Sequence, residues 1–223
     1  MYNLVGTLTK CKFWNDLNED EKILLLNNGN KKLIYRKGDV VEGYGGIIVI
    51  SGILRAFVVT EEGKDVTLGY ILPDDFDASS SEKLTSLAEL DIHFEAVEKS
   101  EICKIPISTI MVLKGNPKFE KYLEEILESR FKATVNALKS VVGKSLEVRI
   151  ASCLSFYMEK KQSNILRITH EDVARCINSS REVVTKAMKH MAADGIVELQ
   201  RGMIIIKDAD RLKEIKGNTS CCC

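Results

Sequence analysis

No two of the seven cysteines in this 223-residue chain stand in a C-x-x-C arrangement. Cys11, Cys103, Cys153 and Cys176 are scattered, and Cys221, Cys222 and Cys223 close the sequence. An odd, dispersed set argues against a disulfide framework. No apolar run approaches the roughly 18 residues that a membrane-spanning helix needs. The opening stretch MYNLVGTLTKCKFW has neither the apolar core nor the small-residue cleavage site of a signal peptide, so a cytoplasmic location without membrane attachment is expected. Histidine is scarce, with only His93, His170 and His190. No Ser-His-Asp arrangement and no phosphate-cradling glycine loop accompanies them, so no enzyme is expected.

Net charge is absent too, but only as a sum. Residues 1–115 hold 13 Lys+Arg against 18 Asp+Glu, residues 116–145 hold 6 against 4, and residues 146–223 hold 13 against 10. The last third is therefore mildly basic, which is compatible with nucleic acid and weak as an argument on its own.

The first half is rich in β-branched segments punctuated by glycine. KKLIYRKGDVV (31–41), GGIIVISGILRAFVVTEEGKDVTLGYIL (45–72) and HFEAVEKSEICKIP (93–106) predict the strands of a small barrel or sandwich. Ahead of them, FWNDLNEDEKILLLNNG predicts a short helix capped by Asn18, with Ile23, Leu24 and Leu26 on its apolar side.

From Asn116 the period becomes helical. Leu127, Phe131, Thr134, Leu138, Val141 and Ser145 step by four and three, which is the seam of a coiled coil, and neither Gly nor Pro interrupts residues 118–142. Packing on the chain's own barrel is one way to cover this stripe. A second copy of the chain explains both length and seam better. Gly143 and Lys144 break the pattern, Ser145 can cap a new helix, and a hinge is placed there.

In CINSSREVVTKAMKHMAADGI (176–196) a polar cluster opens a helix whose other side is apolar. Thr169 can cap a helix over 170–177, Asn178 suits a left-handed turn, and a second helix starts near Ser180. Val173, Ala174, Ile177, Ser179, Val184 and Ala187 fall at the buried positions of a helix-turn-helix. Ser180, Arg181, Glu182, Thr185 and Lys186 remain on one exposed surface near the start of the second helix, the end that enters a DNA major groove. Arg can donate twice to guanine, Glu can accept from cytosine N4, and Lys can reach guanine or phosphate. IVELQRGMIIIKD predicts two strands joined at Arg201-Gly202, a wing beside that helix with Arg201 at its tip. A capping box with solvated charges also accounts for a polar helix start, but it explains neither the turn nor the wing.

ITHEDVARCINSSREVVTKAMKHMAADGIVELQRGMIIIKDADRL resembles the winged helix-turn-helix of the CRP/FNR superfamily of bacterial transcription regulators, including its S-R-E-x-x-x-[RK] reading helix. The resemblance extends less specifically to IVISGILRAFVVTEEGKDVTLGYILPDDF, which is similar to the superfamily's cyclic-nucleotide-binding-type barrel. It implies an α+β protein: an antiparallel jelly-roll or cupin-like barrel over 1–115 as sensor domain, a dimerisation helix and hinge over 116–144, and a winged helix-turn-helix over 145–223. It further implies that Arg181, Glu182 and Lys186 read bases while Thr169, Ser180 and Thr185 assist through phosphates. Lys186 stands where an Arg is often found, and Lys lacks the planar fork for a bidentate contact. Double-stranded DNA bearing an inverted repeat, a second copy of the chain, RNA polymerase and a small-molecule effector are the implied partners.

The effector is not expected to be cyclic AMP. In binders of that nucleotide a Gly-Glu-Leu and an Arg-Ser or Arg-Thr pair hold the phosphate, whereas this chain has DASSSEKL (77–84) and Leu90-Asp91. A carboxylate at that place repels a phosphate. Thr134 aligns with a helix Thr that contacts the nucleotide base, and it fits seam packing equally. An iron–sulfur cluster needs four thiolates, and only Cys11 lies near the N-terminus. The three histidines suit structural or surface roles, and no metal or other cofactor is expected. Two rival readings remain: a ligand-binding module whose C-terminal domain contacts protein, and a haem or redox sensor enzyme.

Overall fold

A computed structural model describes residues 4–28, 32–42, 45–78 and 92–217. The chain divides into two compact units, Met1–Glu62 with Tyr70–Lys132, and Gly63–Gly69 with Ala133–Cys223.

The first unit opens with α1 (Leu4–Leu8), a 3-10 turn (Lys12–Asp16) and α2 (Glu19–Asn28). Asn18 closes a reciprocal cap: its Oδ1 accepts from the Glu21 N–H at 2.9 Å and the Glu21 carboxylate accepts from the Asn18 N–H at 2.8 Å. Leu25 is the buried residue of α2 and Leu26 packs against the same cluster as expected, whereas Ile23 is exposed, which corrects that member of the expected apolar side. Four consecutive apolar residues, Ile23 to Leu26, carry several overlapping stripes, and only packing against Phe13 and its neighbours selects one.

Among the described residues eight strands follow: β1 (Leu33–Tyr35), β2 (Val40–Val41), β3 (Gly46–Ser51), β4 (Leu54–Val59), β5 (Asp65–Ile71), β6 (Phe76–Asp77), β7 (His93–Ala96) and β8 (Ser100–Ile105). They form two four-stranded sheets, β1-β8-β3-β6 and β2-β7-β4-β5. The expected antiparallel strands are present, and β6 is an addition. The period of two partitions them: Ile47, Val49 and Ile102 join Leu54, Ala56, Phe94 and Ala96 in one core. Ile48, Cys103 and Ile105 point the other way, into a cluster with Phe13, Phe76 and Phe119. The β3–β4 turn requires Gly52, whose φ is +86° and where a Cβ would lie 2.6 Å from the Ser100 backbone.

The helix α3 (Ile107–Leu113) and the start of α4 (Pro117–Gly143) complete this unit. Phe119 and Leu123 of α4 are buried in the aromatic cluster. Two turns on, Arg130 Nε donates to Asp77 Oδ2 at 2.6 Å and its Nη1 to the Tyr70 carbonyl at 3.2 Å. The Asp77 side chain is wholly buried, so this charge-assisted bond ties α4 to β5 and β6 in a dry setting.

The second unit contains α5 (Leu146–Lys161), β9 (Ile165–Leu166), α6 (His170–Cys176), α7 (Arg181–Ala193), β10 (Val197–Gln200), β11 (Met203–Ile206) and α8 (Ala209–Lys216). Ser145 caps α5 by accepting from the Val148 N–H. Ile150, Leu154, Val173, Ile177, Val184, Met188 and Leu212 form its fully buried core. The wing gains a third strand not expected from sequence, since β11 pairs with β9 as well as β10.

Candidate nucleic-acid interface

The site grows from two helix ends. Thr169 and Asp172 form a complete capping box at the start of α6. At its end Asn178 has φ +52°, and the Ser179 N–H reaches the Ala174 carbonyl at 3.0 Å. That is a Schellman closure with Asn in the left-handed position, which few residues other than glycine tolerate. Thr67, buried in the Gly63–Gly69 segment that belongs to the second unit, gives its N–H to Asn178 Oδ1 at 2.7 Å, and its carbonyl accepts from Asn178 Nδ2 at 3.0 Å. Ser180 then caps α7 by accepting from the Val183 N–H.

Along α7 the apolar spacing turns Val184, Met188 and Met191 inward. Arg181, Glu182, Lys186 and Lys189 consequently face solvent, and Thr185 is half-buried. Arg181, Glu182, Thr185, Lys186 and Lys189 line one shallow depression. Gly195 ends the helix in a second Schellman closure, with Ile196 N–H to the Met191 carbonyl at 3.0 Å and Gly195 N–H to the Ala192 carbonyl at 3.1 Å.

The wing turn is Arg201-Gly202, with φ +71° at Gly202. A cleft of about 380 Å³ lies between the wing and the helices, lined by Thr169, His170, Glu171 and Arg181 on one side and by Gln200 and Gly202 on the other. Arg201 is exposed at the turn between those last two residues.

The structure thus brings Ser180, Arg181, Glu182, Thr185 and Lys186 together at the start of one helix, with Thr169 and Arg201 flanking the adjoining cleft. Ser180 and Thr169 are also caps, so the capping account and the reading-surface account describe the same residues. The Thr169 hydroxyl both accepts from the Asp172 N–H and donates to the Asp172 carboxylate. Hydrogen bonds from its own backbone N–H, and then from Ser180, hold the Glu182 carboxyl below the usual range. It is therefore an acceptor at neutral pH, as contact with cytosine N4 requires.

Sequence reasoning missed Lys189, Gln200 and His170. Lys189 was within reach, because Arg181, Thr185 and Lys189 follow one another at intervals of four along the helix. His170 and Gln200 arrive from other elements, and only the folding of the wing onto α6 places them here.

On α4, Phe131 is 68% exposed and Leu138 64%, while Thr134 and Val141 are also exposed and Leu127 is half-buried. The face carrying Phe119, Leu123, Ala137 and Ser140 is the buried one.

Burial pushes the Cys11 thiol up to about 12, with Asp74 adding to the effect, and pushes Cys103 up to about 11. Both are protonated at neutral pH and poor metal ligands. Cys11, Cys103, Cys153 and Cys176 are buried thiols outside any disulfide. Among the described residues there is no group of three or more His, Cys, Asp or Glu placed to hold a metal, and no helix long and apolar enough to cross a membrane. Asp91, residues 79–84 and the cysteines at 221–223 lie outside the described residues.

Residues 148–215 match the Crp-like helix-turn-helix domain. The chain is 23% identical over 220 residues to the fumarate and nitrate reduction regulatory protein of Escherichia coli K12, covering 91% of this chain and 85% of that protein. It is 22% identical over 196 residues to electron transport regulator A of Shewanella oneidensis, covering 83% of this chain and 75% of that protein. Among solved structures, a CRP/FNR-family transcriptional regulator from Eubacterium rectale superposes with a TM-score of 0.83 at 27% identity, over 93% of this chain and 99% of that one. A regulator of the same family from Thermus thermophilus shares the fold, with a TM-score of 0.67 at 23% identity over 83% of this chain and 98% of its own.

Proposed function

We infer, from a chain that belongs to the CRP/FNR superfamily of transcription regulators, that two copies of it bind an inverted-repeat DNA site under the control of a small molecule taken up by the N-terminal barrel. The observation that carries this reading is the exposed Arg181, Glu182 and Lys186 set at the capped start of α7 beside the wing. Arg181 specifies a guanine in each half-site, Glu182 accepts from a cytosine N4, and Lys186 contacts guanine or phosphate. Ser180, Thr185, Thr169 and Arg201 contact the phosphate backbone around them.

The dimer forms along Leu127, Phe131, Thr134, Leu138 and Val141. The apolar stripe that Phe131 and Leu138 leave exposed on one copy supports it. Two-fold symmetry then sets the half-sites about 10 base pairs apart, so that both reading helices enter the major groove on one face. We assign residues 1–115 to the sensor, 116–144 to the dimer helix and hinge, and 145–223 to DNA binding. An effector in the barrel resets the two reading helices through α4 and the break at Gly143 to Ser145, provided it binds the two states with different affinity. The Asp77–Arg130 bond supports α4 as the element that feels the barrel. The effector is not a cyclic nucleotide, because Asp91 and the missing Arg-Ser pair leave nothing to neutralise a phosphate. The protein acts in the cytoplasm together with RNA polymerase and is not an enzyme.

Selection of bound duplexes from random DNA tests this directly. Enrichment of a two-fold-symmetric site, with affinity falling steeply with salt, is the expected result. A library that yields no enriched site, with the C-terminal unit capturing protein instead, overturns it.

A further inference from the structure

Two titratable side chains that base reading does not use line the cleft between wing and reading helix, His170 and Glu171. His170 is half-buried at the start of α6, and its Nδ1 lies 3.1 Å from Thr185 Oγ1 on α7. Its ring lines the cleft together with Arg181, Gln200 and Gly202. Thr185 sits among the exposed residues of the reading surface, so one hydrogen bond joins the histidine to that surface.

The charges facing His170 come from each element packed around it. Arg181 and Lys189 approach from α7, and after burial they are what holds the imidazole below its ordinary titration range. Glu171 is the carboxylate of α6 that lines the cleft, and it pairs with Arg175 at 3.5 Å. Asp172 is committed to the capping box. The wing offers the neutral Gln200, with the Arg201 cation at its turn. The free protein therefore keeps this ring neutral near pH 7, surrounded mainly by positive charge.

DNA reverses that balance. A reading helix seated in the groove as proposed above brings phosphates against Thr169 and the wing, beside His170, and the phosphate charge favours the imidazolium. With Nδ1 engaged by Thr185, whose hydroxyl can donate or accept, the charged ring presents a second N–H that a phosphate oxygen can accept. We propose that His170 is a phosphate-contacting residue of the DNA interface and takes up a proton when the duplex fills this cleft. This rests on the DNA-binding function proposed above.

The sign follows from linkage. Binding raises the pKa of His170 from a depressed value in the free protein, so affinity for DNA rises as pH falls between the bound and the free value. Below the free value the ring is already charged and the dependence ends. Each His170 contributes at most about tenfold in affinity per pH unit, and a two-fold dimer at most about a hundredfold.

The experiment is calorimetry of the full-length protein with one symmetric duplex taken from the selection, near pH 7, in phosphate and in Tris buffers whose ionisation heats differ. The wild type is expected to take up protons, between zero and two per dimer. His170→Gln, which can still bond Thr185, is expected to bind with no such uptake, and His170→Arg with a fixed charge and no pH slope. Equal uptake in wild type and H170Q, or a pH slope retained in H170R, overturns the proposal while leaving DNA binding intact. A wild-type protein that binds no duplex overturns the underlying function instead, and the two failures are told apart by whether binding heat exists at all.

Discussion

Replacing Leu138 with Ala measures the coiled-coil seam. Leu138 is 64% exposed in the single chain. Full burial of a leucine is worth about 1.5–3 kcal/mol, so covering the exposed part gains about 1–2 kcal/mol in each protomer. Both copies lose it at a two-fold interface, which gives about 2–4 kcal/mol per dimer, or roughly 30- to 1000-fold in the dimer dissociation constant. Leu138→Glu is expected to go further, because it also sets two carboxylates near each other across the axis. Sedimentation equilibrium over a concentration series reads the constant directly. Lys139→Ala, one residue away and off the seam, is the control and is expected to leave it unchanged. If L138A and K139A dissociate alike, the α4 seam is not the dimer interface, and the exposed stripe needs another partner.

Arg181→Ala is expected to cost about 1–3 kcal/mol per half-site and to relax preference at one guanine, whereas Lys186→Ala, if Lys186 touches phosphate alone, lowers the salt slope by about one per half-site without altering preference. Binding-site selection on both variants reads this, and an unchanged preference in R181A refutes the recognition surface. Asp77→Ala takes away the buried carboxylate that Arg130 bonds at 2.6 Å. It should destabilise the protein by about 2–4 kcal/mol, short of the fully buried range because the Arg130 side chain stays 24% exposed, and a urea midpoint equal to wild type sinks that account. Gly195→Ala forces a left-handed alanine with nothing within 4 Å of its Cβ, so only the backbone term of about 1–2 kcal/mol is expected in a thermal melt.

How much of this was readable in the chain depends on the range of the interaction involved. Caps and turns are local, and the sequence alone determined them: Asn18, Ser145, Thr169 and Ser180 cap helices, and Asn178 takes the left-handed turn. Strong periodicity is local as well, so the alternation of β3 and β8, the length of α4 and the inward side of α7 followed from the order of residues. Where the pattern was degenerate it misled. The run Ile23 to Leu26 allows several stripes, and packing against Phe13 decided for Leu25. Strands as short as β6 and β9 carry too few residues to show a period, and they exist because a neighbouring strand offers backbone partners. The deepest share belonged to tertiary structure alone. Asp77 reads as one more surface acid until Arg130, 53 residues later, closes on it. His170 reads as an ordinary helix residue until Thr185 and the wing enclose it, because the environment of a titratable group is set by elements that the sequence keeps far apart.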